Sequence, residues 1–262
     1  MQIDLTDKTA LVCGSTQGIG RAIAEVFAKA GAQVVLVARN AEKLQQTLKE
    51  LPRPNHQKHQ FLVADFSKPE ALLTVLSNFV SEQPNIDILV NNTGGPPAGP
   101  VAEATIEAFD AAFAQHLKCN HILMQTLTPG MKQRNFGRII NIISTSVKQP
   151  LDGLGVSNTI RGAVANWSKT LANELGPYGI TVNNILPGAT ATERLQSIVA
   201  NKAQKTARPK TAIEKAMLDA IPAKRFAAPE EIAAAACFLA SEYAAYINGI
   251  NLPVDGGRTK SL

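Results

Sequence analysis

Three glycines crowd the run Gly14-Ser15-Thr16-Gln17-Gly18-Ile19-Gly20, and residues of this kind at this spacing suit the holding of a phosphate. A backbone without Cβ atoms turns tightly and lets an anion approach the free N–H groups at a helix start, where the helix dipole is positive. The pattern carries weight only when a strand leads in and a helix leads out. Here the apolar TALVC at 9–13 leads in, and Ile19, Ile23, Val26, Phe27 and Ala30 then recur on one helical face before Gly31. A plain tight strand-to-helix turn is the alternative. The next apolar run ends Val37-Ala38-Arg39-Asn40, with Arg39 19 residues beyond Gly20. An acid there would bind the ribose 2′-hydroxyl of an adenine dinucleotide. An arginine with no acid beside it favours a 2′-phosphate, and so NADP(H) over NAD(H); the competing reading is a solvated strand end. Asp65 either accepts from the adenine amino group or caps the following helix. Asn91, Asn92, Thr93 and Gly94, at the end of the fourth strand, lie where such sheets bind ligands, and are expected to serve both structure and cofactor.

These residues need a scaffold, and the chain supplies one by alternation. Strands are expected at Thr9–Cys13, Val34–Ala38, Phe61–Ala64, Ile86–Asn91, Arg138–Ile143, Thr181–Leu186 and Asn251–Val254, with helical patterns between them. Runs such as VVLVA and IDILV are apolar without period-two alternation, as in strands buried on both faces of a parallel sheet. The expected fold is α/β: a doubly wound parallel sheet covered by helices on both faces. Residues 1–262 form one domain, with an irregular insert at 192–222 as a helical lid.

Composition narrows the partners. Hydrophobic residues make up 45% and charged residues 18%, which suits a large core. The net charge of +5 sits wholly between Glu193 and Pro229, where eight basic residues face three acidic ones. That is not the diffuse basic face of a nucleic-acid binder. Cys13, Cys119 and Cys237 are far apart in apolar settings and read as core thiols in a reducing compartment. His56 and His59, in NHQKHQ, read as solvated residues rather than metal ligands, and no metal is expected. With no leader and no membrane-length apolar run, a cytoplasmic protein is expected.

GSTQGIG, then NNTG, a strand ending at Ser144, LPGATAT at 186–192 and VDGG at 254–257 occur in that order. Together they resemble the short-chain dehydrogenase/reductase family, and within it the 3-oxoacyl-(acyl carrier protein) reductases, from about Leu5 to Gly257. The resemblance implies a Rossmann-type seven-stranded parallel sheet in a three-layer α/β/α arrangement, a nicotinamide cofactor, a small-molecule or acyl-thioester substrate, and a homotetramer or dimer. It sets Pro187, Gly188 and Thr192 near the nicotinamide amide. It also implies a catalytic asparagine, serine, tyrosine and lysine. The serine position holds Ser144; the tyrosine position, thirteen residues on, holds Ser157; the lysine position, four further, holds Arg161; the asparagine position holds His116.

Those substitutions change the chemistry. An alkoxide formed by hydride delivery to a carbonyl must be protonated, and a phenol beside an ammonium can do this. Serine is a much weaker acid, and arginine stays protonated. Arginine can still stabilise an oxyanion and grip ribose hydroxyls. His116 titrates in a range that would let it supply the proton, or it is a satisfied helical histidine. Three functions stay open: an oxidoreductase with altered acid–base chemistry acting on a carbonyl or 3-oxoacyl-like substrate, a binding or regulatory module for NADP(H), and a reductase of activated C=C bonds in which Arg161 and Ser157 hold an enolate. The stretch NKAQKTARPK at 201–210 either docks an anionic carrier or is a solvated face. The helices around Ala102–Met131 and Ser157–Leu175 are expected to pair between subunits, the latter through Ala163, Val164, Trp167 and Leu171.

Overall fold

The computed structural model describes residues 2–261. Seven strands form one sheet: β1 (Thr9–Cys13), β2 (Gln33–Ala38), β3 (Gln60–Val63), β4 (Ile88–Asn91), β5 (Gly137–Ile142), β6 (Ile180–Pro187) and β7 (Asn251–Val254). All pairings are parallel and the order is β3-β2-β1-β4-β5-β6-β7. The chain therefore winds outward from β1 in one direction and from β4 in the other. The two halves part at the carboxyl ends of β1 and β4, and the crevice there is the topological switch point where ligands bind in this architecture.

The described residues include nine α-helices: α1 (Gly18–Lys29), α2 (Ala41–Glu50), α3 (Pro69–Glu82), α4 (Ile106–Phe113), α5 (Cys119–Gln133), α6 (Gly155–Leu175), α7 (Glu193–Thr206), α8 (Lys210–Asp219) and α9 (Pro229–Ala240). Side chains alternate between the two layers even where hydrophobicity does not. Val12, Leu36 and Val90 pack with Ile23, Phe27 and Ile232 of α1 and α9, whereas Leu11, Val35 and Leu89 pack with Leu72, Leu123 and Leu171 of α3, α5 and α6. Each fully buried aliphatic or phenyl side chain contributes about 1.5–3 kcal/mol. The three cysteines are buried and unpaired.

Several expectations shift on contact with the structure. β4 begins two residues late because Asp87 accepts the Thr9 amide on its carboxylate, while Arg134 takes the Ile86 carbonyl. His59 is not solvated. Its Nδ1 accepts the Val34 amide at 3.0 Å and its Nε2 lies 2.9 Å from the Pro52 carbonyl, so the ring ties the start of β2 to the segment after α2. Val164 and Leu171 face inward and are buried in the chain's own core, so they are not surface for a partner. The insert folds into α7 and α8, and the basic stretch at 201–210 is almost wholly exposed. No helix among the described residues is long and apolar enough to cross a membrane.

Candidate active site

The glycine loop is shaped by what cannot fit in it. Gly14 and Gly18 have φ of +60° and +53°, and a Cβ on Gly20 would lie 2.2 Å from the Gly14 carbonyl oxygen. Asn92 locks this turn to β4, its Nδ2 donating to the carbonyls of Cys13 (3.1 Å) and Gly14 (3.4 Å). Gln17, the residue before α1, has extended backbone and makes no side-chain cap. The first N–H groups of α1 are thus left to an outside acceptor. A cleft of about 470 Å³ opens beside them, lined by Thr16, Gln17, Gly18, Lys43 and Thr192 among others. Thr192 also caps α7 through the Leu195 amide, and its methyl group would touch a Cβ on Gly18. An uncapped helix start over a cradle that a Cβ would fill fits a dinucleotide pyrophosphate.

Two residues expected at the cofactor turn inward. Ser15 is fully buried, and its Oγ accepts the Val37 amide at 3.0 Å, tying β1 to β2. Asn91 donates to Asn141 Oδ1 at 2.8 Å inside the sheet. Asn141 in turn donates to Ser168 Oγ and Asn184 Oδ1, and Asn184 donates to Asn251 Oδ1, so four asparagines bond side by side across four strands. Asp65 does not cap α3, the second of the two roles expected of it. Its carboxylate accepts the Ser67 amide in a local turn, while Lys68 precedes α3 without a side-chain cap. That hydrogen bond, more than nearby Arg39, holds the Asp65 pKa below the usual carboxylate range. Arg39 itself is exposed just past β2 and forms no ion pair among the described residues. Gly94 faces open space, and Pro187 and Gly188 continue β6 beside Val254, where Gly188 has no room for a Cβ against Asp255.

Of the residues at the catalytic positions, Arg161 and His116 meet at Thr93. Ser157 and Arg161 are one turn apart on α6, on the same face. Arg161 is 7% exposed and donates to the carbonyls of Ile142 (3.2 Å) and Thr93 (3.4 Å), so it bridges the ends of β5 and β4. Ser144 lies two residues past Ile142 and accepts the Ser146 amide. His116 occupies a π-helical turn, Ala114–Lys118, between α4 and α5. Its Nδ1 sits 2.6 Å from Thr93 Oγ1, and its buried Nε2 has no partner.

Electrostatics decide what these groups can do. Burial, then the Arg161 charge, pushes His116 down to about 3, so it is neutral at physiological pH. The expectation that it titrates near neutrality and hands over a proton is therefore corrected. Burial, then Arg194, lowers Arg161 to about 10, which leaves it charged. No phenol is at hand. Tyr178 precedes β6, Tyr243 Oη reaches Gln2 ahead of β1 and Tyr246 precedes β7, all at the amino-terminal edge of the sheet.

Sequence reasoning overlooked Arg194. It stands in the first turn of α7, where the helix dipole disfavours a cation, and that misfit was the signal available. Its Nη2 donates to the carbonyls of Gly95 (3.3 Å) and Pro96 (3.1 Å). The row of Asn141, Asn184 and Asn251 was overlooked as well, since it exists only once the strands pair.

Residues 14–259 match the family described as enoyl-(acyl carrier protein) reductase. The chain is 32% identical to the NADPH-dependent reductase BacG of Bacillus subtilis, over 98% of this chain and 100% of that one. It is 35% identical to D-threitol dehydrogenase of Mycolicibacterium smegmatis, over 97% and 94%. Among solved structures, L-sorbose reductase from Gluconobacter frateurii, complexed with NADPH and L-sorbose, superposes with a TM-score of 0.93 at 35% identity over 100% of both chains. With its seven-stranded sheet, its glycine loop and these matches along nearly its whole length, the chain belongs to the short-chain dehydrogenase/reductase family.

Proposed function

We propose that the protein is an NADP(H)-dependent reductase of C=C bonds conjugated to a carbonyl, with Arg161 as its electrostatic catalyst. The observation that carries this is a buried, charged guanidinium in a site without a proton donor matched to an alkoxide: His116 is held neutral, Ser144 and Ser157 are hydroxyls, and no tyrosine is near. When bound, NADPH supplies the hydride. Addition at the carbon β to the carbonyl moves the π electrons onto the carbonyl oxygen, and the resulting enolate needs a positive partner rather than an immediate acid. Arg161 provides that charge from a fixed position between the Ile142 and Thr93 carbonyls. Water then protonates the α-carbon. Arg39 would face the 2′-phosphate, the start of α1 the pyrophosphate, and α7 and α8 would cover the substrate.

A second reading, reduction of a 3-oxoacyl or other carbonyl, is supported by Ser144, two residues past the end of β5, and by relatives named D-threitol dehydrogenase and gluconate 5-dehydrogenase. Turnover of NADPH with a 2-enoyl thioester and with a 3-oxoacyl thioester separates the two. The enolate route predicts that Arg161→Ala lowers kcat on the enoyl substrate by about 10²–10³ while NADPH still binds. Activity on the 3-oxoacyl substrate alone would overturn it. Firm NADPH binding with no turnover of either substrate would favour the binding-module reading.

A further inference from the structure

Every buried arginine but one has its charge answered. Arg138, 2% exposed, meets Glu242 at 3.4 Å, donates to three carbonyls and lies over the Phe136 ring. The half-buried Arg134 pairs with Asp87 at 3.2 Å. Arg161, 7% exposed, has only two carbonyls; among the described residues no acid forms an ion pair with it or with Arg194. Burial of an uncompensated charge is costly, and a second like charge raises the cost. Arg194, on α7, is itself exposed to solvent, yet its guanidinium reaches back to the same spot. A point beside Gly95, one Cβ bond from its Cα, lies 3.6 Å from Arg194 Nη2 and 3.9 Å from Arg161 Nη2. Each guanidinium carries five N–H donors and spends only two hydrogen bonds on carbonyls. The buried Nε2 of His116, close enough for its ring to sense the Arg161 charge, is also without a partner.

We propose that the substrate is itself an anion, with a carboxylate bonded to the carbonyl carbon of the reducible system, clasped between Arg194 and Arg161 beside Gly95. The proposal rests on the reading of this cleft as the reductase site. It explains why two cations meet without an acid, since substrate brings the missing charge. It also explains the closeness of the pair. A 2-oxo-3-enoate presents its carbonyl oxygen and a carboxylate oxygen side by side, one for each guanidinium, and the charge that grows on the carbonyl oxygen during reduction strengthens a contact already made. Arg194 is then a specificity residue carried on the insert, so that α7 is drawn over the cleft by the substrate's own charge.

The test uses the NADP⁺-loaded protein and two probes of matched shape, 4-phenyl-2-oxobut-3-enoate and the neutral 4-phenylbut-3-en-2-one, with pyruvate as a minimal carboxylate. Isothermal titration gives affinities without turnover, and NADPH oxidation is followed separately. The expected result is binding of the two carboxylates and discrimination against the ketone, with Arg194→Gln weakening the carboxylates about 10- to 100-fold and sparing the ketone and NADPH. Arg194→Lys should retain part of the preference, as a charge does and a mere strap to Gly95 and Pro96 does not. Equal loss for charged and neutral probes, loss of NADPH affinity with unchanged selectivity, or no saturable binding of either carboxylate overturns the proposal. Selective carboxylate binding with no reduction of the enone upholds the anion site and removes the C=C reading instead.

Discussion

His116 offers the sharpest test of the electrostatic argument, because its state can be read from stability without knowing the substrate. In the native protein its pKa falls to about 3, first through burial and then through Arg161. Its value in the unfolded chain is about 6.5. Between those two values the unfolded state binds one proton more than the native state, so stability is complete above pH 6.5 and is lost as the pH falls. The slope is about 1.4 kcal/mol per pH unit, and the whole window has a ceiling of about 4–5 kcal/mol. The assay is urea denaturation of wild type and His116→Asn across the range from neutral to mildly acidic pH. His59, whose pKa is also lowered by burial, and the carboxylates contribute equally to both proteins. The difference between the two curves therefore isolates His116. It should be flat above pH 7 and turn against wild type below about 6.5, with unchanged m values showing that only stability has moved. Parallel curves would refute the reasoning. They would mean that the imidazole charges freely, and a site with a titratable histidine beside Arg161 would no longer lack an acid.

Three further outcomes are expected. Arg39→Asp should reverse the preference for NADPH over NADH, a change of about 10- to 100-fold in their relative affinities by fluorescence titration; an unchanged order would remove Arg39 from the 2′-phosphate. Asn141→Ala strips partners from Asn91, Ser168 and Asn184 at once and should cost about 3 kcal/mol or more in urea denaturation; a loss under about 1 kcal/mol would show that the network is slack. Ile106 and Phe113 stand two turns apart on α4, 71% and 50% exposed, and wild type should be a dimer or tetramer by light scattering while Ile106→Glu with Phe113→Glu is a monomer.

What the sequence disclosed was what neighbours in the chain decide together. The strand, the turn and the helix around Gly14–Gly20 are contiguous, so their composition betrays them. Ser157 and Arg161 share a helix face by counting alone. What stayed hidden depends on contacts distant in the chain. Arg194 meets Gly95 across 99 positions, and no local pattern announces it. His59 looked like any histidine of a polar loop, because the Val34 amide it accepts belongs to another strand. Val164 and Leu171 showed an apolar stripe, but a stripe does not say whether its own sheet or another subunit covers it.

The row of asparagines bears on a problem peculiar to this architecture. Where both faces of a strand are apolar, sliding it by one residue exchanges one greasy face for the other and costs little burial, so hydrophobicity alone leaves the alignment of β4 to β7 ambiguous. Asn91, Asn141, Asn184 and Asn251 stand directly opposite one another in the paired strands. A slip at any junction would strand amides in the interior with nothing to bond, a penalty of about 1–3 kcal/mol for each orphaned group. The row thus acts as a key that only one alignment fits. It secures the level at which β4, β5 and β6 end beside Thr93, Ser144 and Pro187.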